Sequence, residues 1–309
     1  MNLLVKRGGD NFSLASYHQN LATLYDELDD IQAVKQIDMA LKYLALSEKD
    51  AFTQNKIDTY LAAAFIYSHF QNVLPQWRNK QKEINQQVEG FIDKAINLTD
   101  SSLKSNTMLR SLSYHNIAYT CWQMKWLDSA TIYIQKALET RDLHSPNVHS
   151  YADSLYLKAM VFLDRYFDTQ EQRLINEAKD AIEQCYQEHM LIINKYSIDH
   201  YKFQLVKVYD AWAQILCEIG EFSESIKKID DAISLEKLDE DAVEHYLTCY
   251  HAALFRLCAY DNSQESILLK EALEFAQDAK EDALRYPDSA DAKDALLKIN
   301  TLIEEIKSR

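Results

Sequence analysis

The chain has 309 residues, enough for two ordinary domains or for one elongated array with a continuous core. Its 4 glycines and 3 prolines fall well below average usage, which argues against turn-rich all-β and βαβ folds and favours long helices. A net charge of −15 disfavours binding to nucleic-acid phosphates or to anionic membrane surfaces, so we expect neither as a partner.

Apolar residues recur every three or four positions from about Leu14 onward, which predicts amphipathic helices along most of the chain. Before that point Gly8 and Gly9 would interrupt a helix. The helices group in pairs, and after Pro287 a last helix carries one apolar stripe, as is typical of a cap on an array. The predicted domains are a lead-in at 1–13, a helical array at 14–286 with pairs near 14–46, 52–98, 106–140, 148–196, 199–236 and 241–285, and a capping helix at 287–309.

A small residue lies near the middle of the first helix of every pair. Successive gaps between these residues are 42, 54, 41, 54 and 40 positions, so two neighbouring pairs together repeat about every 95 residues. This spacing predicts a duplicated four-helix unit that occurs three times. The small residues are Ala22, Ala64, Ala118, Ala159, Ala213 and Ala253.

Two of the pairs carry a specific alternation of bulky and small residues. In the third pair these are Tyr114, Ile117, Ala118, Cys121, Ala130, Ile134 and Ala137; in the fifth they are Tyr209, Trp212, Ala213, Leu216, Gly220, Ser225, Ile229 and Ala232. The pattern resembles the tetratricopeptide repeat (TPR), including its turn glycine in the fifth pair. The other pairs depart from the motif, the even-numbered ones by longer separations between their helices. The resemblance implies an all-α fold, a right-handed α-α superhelix of about six helical hairpins plus the C-terminal capping helix.

The resemblance also implies a concave groove lined by first-helix residues beside the packing positions. In the middle of the chain these positions are aromatic, and aromatic side chains with a polar tip are common anchors for peptides. An alternative, that other segments cover these side chains and make them core, stays open. The basic residues with which chaperone-docking members hold a carboxylate are missing here, so an acidic chaperone tail is not expected. The candidate partner-binding residues are Phe65, His115, Tyr119, Trp122 and Tyr156.

No sequence motif points to catalysis: there is no glycine-rich phosphate loop, no His-Glu-x-x-His zinc motif and no nucleophile elbow. We therefore expect no enzyme, no cofactor and no metal site. The 5 cysteines are scattered without a CxxC pair, and the N-terminus lacks the apolar run of a signal peptide. Both observations favour a cytoplasmic protein.

The interpretation that the sequence favours is a non-enzymatic scaffold or adaptor that binds a protein or peptide on its concave face. The acidic residues from Glu221 onward predict a basic partner if that third of the chain binds by charge. Two alternatives remain. One is a peptide-sensing regulatory module that changes superhelix closure to control an effector, and the other is a self-associating structural scaffold, hence a homo-oligomer.

Overall fold

A computed structural model describes residues 11–27, 30–47, 52–73, 79–140, 148–195, 202–236, 245–287 and 289–309. The described residues form 13 helices, and no strand occurs among them. The predicted all-α helical repeat fold is therefore confirmed, with six hairpins and a C-terminal capping helix. Backbone contacts divide the chain into two compact units, Met1–Ser150 and Tyr151–Arg309.

The first unit contains three helical hairpins. The two helices of each hairpin pack along each other, and the first helices of successive hairpins also contact one another, so that they form a row. The surface of this row is called the first-helix face below. The helices are α1 (Asn11–Glu27), α2 (Gln32–Leu46), α3 (Thr53–Val73), α4 (Gln81–Ser102), α5 (Thr107–Gln123) and α6 (Leu127–Thr140), of which α1, α3 and α5 are the first helices.

The second unit contains the other three hairpins and the capping helix. Its first helices α9 and α11 contact each other, and α11 contacts the capping helix α13. The thiol of Cys185 on α8 donates a hydrogen bond to the carbonyl of Ala152 on α7, at 3.2 Å. The helices are α7 (Val148–Thr169), α8 (Gln172–Lys195), α9 (Lys202–Glu218), α10 (Phe222–Glu236), α11 (His245–Ser263), α12 (Ser266–Ala283) and α13 (Ala290–Ser308).

The small residue near the middle of each first helix is a packing position. All six have 0% of their surface exposed, because neighbouring helices approach too closely there for a larger side chain. In the first unit Ala22 belongs to a core cluster with Ile37 of the same hairpin and with Ile66 and Phe70 of the next one. The first two hairpins thus share one core, as neighbouring repeats in an array do.

The connections within hairpins also repeat along the chain. Lys125 ends α5 with φ 59°, and Gly220, 95 positions later, ends α9 with φ 80°. At both turns two backbone hydrogen bonds close the helix, one that spans six residues and one that spans four. The six-residue bonds run from Trp126 N–H to Cys121 O at 2.8 Å and from Glu221 N–H to Leu216 O at 2.9 Å. The predicted period of about 95 residues is thus visible in backbone conformation as well as in the alanines.

The fourth and sixth hairpins share a different turn. Gln170 and Gln264, 94 positions apart, have φ 59° and 60°. Each donates its backbone N–H to the carbonyl four residues earlier, at 2.7 Å in both cases. The turns of the third and fifth hairpins therefore differ from those of the fourth and sixth, which supports a repeating unit of two hairpins.

A tyrosine one helical turn before the central alanine stabilises three of the hairpins. In each case a lysine from the second helix places its ammonium group over the tyrosine ring, a cation–π contact. The Nζ-to-centroid distances are 5.3 Å for Lys94 and Tyr60, 5.4 Å for Lys136 and Tyr114, and 5.5 Å for Lys228 and Tyr209.

The limits of two helices differ from those that the apolar pattern suggests. α1 already begins at Asn11, inside the predicted lead-in, of which residues 1–10 lie outside the described part of the chain. α4 continues to Ser102 beyond the last apolar residue of its stripe. It continues because Thr99 occupies the next buried position, where its hydroxyl donates to the carbonyl of Ala95 at 2.9 Å.

Candidate functional site

A groove opens between the first helices of the second and third hairpins. Its volume is about 280 Å³, and it lies on the first-helix face of the first unit. We call it the α3–α5 groove. Its lining consists of Asp58, Leu61, Ala62 and Phe65 from α3 and Asn116, Tyr119 and Thr120 from α5.

The helical period explains which side chains reach this groove. Leu61 and Phe65 are one turn apart on α3 and therefore share a face, with the small Ala62 between them leaving space above the backbone. Leu61 is buried, and Phe65 packs against the core cluster below. Tyr119 on α5 keeps 45% of its surface exposed, so one wall of the groove is an accessible aromatic ring.

Buried polar contacts hold the first helices in register beneath the groove. The Thr59 hydroxyl donates to Gln19 Oε1 of α1 at 2.7 Å. The Ser113 hydroxyl of α5 donates to Gln54 Oε1 of α3 at 3.1 Å. Thr59 and Ser113 are almost fully buried, so both contacts lie beneath the surface of the groove. The groove is therefore built on a fixed pair of helices.

Asp58 is the charged residue in the groove. Gln54 Nε2 donates to its Oδ1 at 2.9 Å, and the Asn116 side chain on α5 donates to it as well. Partial burial raises the pKa of this carboxyl group, and the two hydrogen bonds oppose that shift. In the described part of the chain no Lys, Arg or His pairs with Asp58.

Three of the predicted partner-binding residues lie close together, and the other two do not join them. Phe65 and Tyr119 line the groove, and the Trp122 ring lies 5.8 Å from the Tyr119 ring but outside the lining. His115 is partly buried, which lowers its pKa to about 4 and favours an uncharged ring. Tyr156 lies on α7 and belongs to the second unit. A role in partner binding stays a prediction for all five.

Sequence reasoning missed Asp58 and Asn116. The signal was present in the spacing, because Asp58 lies seven positions, or two turns, before Phe65 and Asn116 lies three positions before Tyr119. Polar residues at these positions look like ordinary solvated helix surface when only the apolar pattern is followed. Their cross-helix hydrogen bond becomes visible only in three dimensions.

A second cavity, in the second unit, has a different character. Its volume is about 250 Å³, and its lining comes from α11 and α13: Leu247, Tyr250, His251, Asp291, Asp294, Ala295 and Lys298. Here charges of opposite sign already meet, since His251 Nδ1 lies 2.8 Å from Asp210 Oδ1 and Lys298 Nζ lies 2.6 Å from Asp294 Oδ2. The basic partner predicted for the acidic C-terminal third stays a prediction.

Within the described ranges, no group of three or more His, Cys, Asp or Glu side chains is arranged to hold a metal ion. In the same ranges no helix has the length and apolar character to cross a membrane.

Comparison with protein families and with curated proteins finds no match to the sequence. Among solved structures, the nearly identical TPR-like repeats of a Podosopora anserina kinesin light chain are 15% identical, cover 72% of this chain and 98% of their own, and superpose with a TM-score of 0.51. The yeast Sti1 TPR2AB domain in complex with pHSP90 is 13% identical over 96% of this chain and 99% of its own, with a TM-score of 0.34. Yeast Tom70 is 13% identical over 96% of this chain and 89% of its own, with a TM-score of 0.23. The likeness to the kinesin light chain repeats, together with the hairpin packing described above, shows that this chain has the TPR-like helical repeat fold.

Proposed function

We propose that this protein is a non-enzymatic scaffold that binds a peptide segment of another protein on the first-helix face of its first unit. The observation that carries the proposal is the α3–α5 groove itself, an apolar trough of about 280 Å³ with the half-exposed ring of Tyr119 as one wall. The proposed location is the cytoplasm, since all 5 cysteines are free thiols, as is usual in a reducing compartment.

The energetic reason is the apolar surface that remains exposed at this place. A tyrosine buries roughly 150–250 Å² when it is covered completely. Covering the 45% of Tyr119 that is exposed would remove about 90 Å² from water, worth ~2 kcal/mol at about 25 cal/mol per Å². Leu61, Ala62 and Phe65 form the opposite wall, so one apolar side chain of a partner would touch both helices. A rigid aromatic anchor of this kind is the usual centre of a peptide-binding site.

A pull-down from the native cytosol, quantified by mass spectrometry, tests this proposal. The groove variant combines Tyr119→Ala with Phe65→Leu, which removes both rings but keeps an apolar side chain over the core. The control is Ile132→Ala on α6, a side chain with 55% exposure that is not part of the groove. We expect wild type and the control to retain the same partners and the groove variant to lose them.

If all three proteins retain the same partners equally and have unchanged circular dichroism spectra, the groove is not the binding site. Gel filtration with light scattering on the same samples addresses the alternative of self-association. A homo-oligomer that the groove variant converts to monomer would identify a second copy of this chain as the occupant.

A further inference from the structure

The α3–α5 groove combines an apolar trough with a carboxylate that has no counter-ion among the described residues, and this combination specifies the chemistry of its occupant. We propose that the groove recognises a peptide segment with an arginine or lysine next to an apolar side chain, the cation pairing with Asp58 and the apolar group lying against Phe65 and Tyr119. This inference rests on the proposed function and adds the class of partner.

Asp58 lies in the groove lining, between the two helices that form the groove. The carboxylate is partly buried, and the side-chain amides of Gln54 and Asn116 fix its orientation from the two helices that form the groove. A carboxylate offers about four lone-pair sites. Two donors therefore leave acceptor capacity available, and Asp58 is part of the groove lining, where a ligand can reach it.

Partial burial of the Asp58 carboxylate has a free-energy cost. Moving a carboxylate partly out of water is unfavourable unless a cation compensates it, and the raised pKa of Asp58 reflects this cost. No described Lys, Arg or His supplies the compensation. A partner's guanidinium or ammonium group would therefore recover interaction energy that the isolated protein lacks. Arginine fits better than lysine because its planar group can bond a carboxylate with two N–H groups and stack on the Tyr119 ring.

Asp58 contrasts with other carboxylates on first helices. Asp26 on α1 lies 2.8 Å from His69 Nδ1 of α3, and Asp210 on α9 lies 2.8 Å from His251 Nδ1 of α11. These two acids already have partners on the neighbouring helix. Among the described residues Asp58 has no such cation, although it also contacts its neighbouring helix through Asn116, and this difference marks it as the position where a partner's cation would bind.

Selection from a displayed library of random peptides tests the inference. The baits are wild type, Asp58→Asn, Tyr119→Ala and Glu83→Gln, the last a matched loss of one charge at an exposed position in the first turn of α4. We expect wild type and Glu83→Gln to enrich peptides with a basic residue beside an apolar one. Asp58→Asn should keep the apolar preference and lose the basic one, and Tyr119→Ala should lose the apolar preference.

The outcomes separate the two levels of the account. Peptides enriched on wild type without a basic residue, or with the same basic preference on Asp58→Asn, would overturn the inference and leave the proposed function intact. Enrichment on no bait would overturn both. We expect the Asp58→Asn variant to fold normally, because the new side chain accepts the same hydrogen bond from Gln54 and carries no charge to desolvate. A melting curve checks this.

A change on the peptide side needs no altered protein. In an enriched peptide, replacing the basic residue by methionine should weaken binding to wild type about tenfold, as expected for one charge-assisted hydrogen bond. The same replacement should change binding to Asp58→Asn by less than about twofold. Equal losses on the two proteins would show that the cation binds elsewhere.

Discussion

Arg256 on α11 is a buried cation that two partly exposed acids neutralise. The side chain is 4% exposed, its Nη2 lies 2.8 Å and 2.9 Å from the two carboxylate oxygens of Asp230 on α10, and its Nε lies 3.0 Å from Glu271 Oε2 on α12. The guanidinium also lies 4.4 Å from the centre of the Phe275 ring. The two acids are 45% and 39% exposed, so the arginine alone is removed from water.

This asymmetry predicts that removing the acids costs more than removing the arginine. Asp230→Ala with Glu271→Ala leaves a buried guanidinium without a counter-ion, and we expect a loss of about 3–5 kcal/mol in the free energy of unfolding. Arg256→Met keeps the length and packing of the stem and leaves two hydrated carboxylates, so we expect a change within about 1 kcal/mol, of which the lost cation–π contact accounts for most.

Urea denaturation followed by circular dichroism measures both changes. The matched control is Glu224→Ala with Glu274→Ala, two acids in exposed ion pairs at 3.9 Å and 3.7 Å, which should cost less than about 1 kcal/mol. If Arg256→Met destabilises the protein more than the loss of both acids does, the reasoning about the buried charge is wrong.

Three further predictions concern the repeats and the interior. Gly220→Ala should lower and Lys125→Gly should raise the free energy of unfolding by about 1 kcal/mol each, because both positions have positive φ and no atom crowds a Cβ at Gly220; opposite signs in urea denaturation would refute the shared turn. Ala118→Leu should lower the melting temperature through overpacking worth about 1–3 kcal/mol, and an unchanged melting curve would contradict the close helix approach. His115 has a pKa of about 4 in the folded chain, against 6.5 for the free side chain. The unfolded chain therefore binds the proton first as the pH falls. The free energy of unfolding should be unaffected by His115 above pH 6.5 and should fall by up to about 3 kcal/mol towards pH 4. His115→Gln should remove this part of the acid sensitivity, and an NMR titration of the ring with a midpoint near 6.5 would disprove the burial.

Much of the fold could be predicted because a packed helical array leaves its period in the sequence. The alanines near the middle of the first helices are fully buried, as their spacing suggested. The Ser289 hydroxyl accepts the backbone N–H of Ala292 at 3.2 Å and so caps the N-terminus of the last helix, a role that serine commonly has. Turns were less predictable. A positive φ could be expected at Gly220 because glycine adopts it easily, whereas Lys125 adopts the same conformation without being a glycine.

The candidate site was predicted in part, for a physical reason. Aromatic residues at helical spacing, such as Phe65 and Tyr119, indicate a face of the helix. They do not show whether a neighbouring element covers that face, which depends on how close α3 and α5 lie. Asp58 was not predicted because its surroundings depend on Asn116, which lies 58 positions later in the chain and donates to it across the two helices. The spacing along each helix shows which face these residues share, but a contact between helices can be identified only in three dimensions.

Site-specific photo-crosslinking tests the central claim most directly. A photoreactive phenylalanine analogue replaces Tyr119 in one protein and Ile132, exposed on α6, in another, and each is irradiated with a peptide recovered from the library. We expect a crosslink from position 119 that mass spectrometry maps to the apolar residue beside the peptide's basic one, and no crosslink from position 132. A crosslink from position 132 with none from position 119 would show that the peptide binds outside the α3–α5 groove.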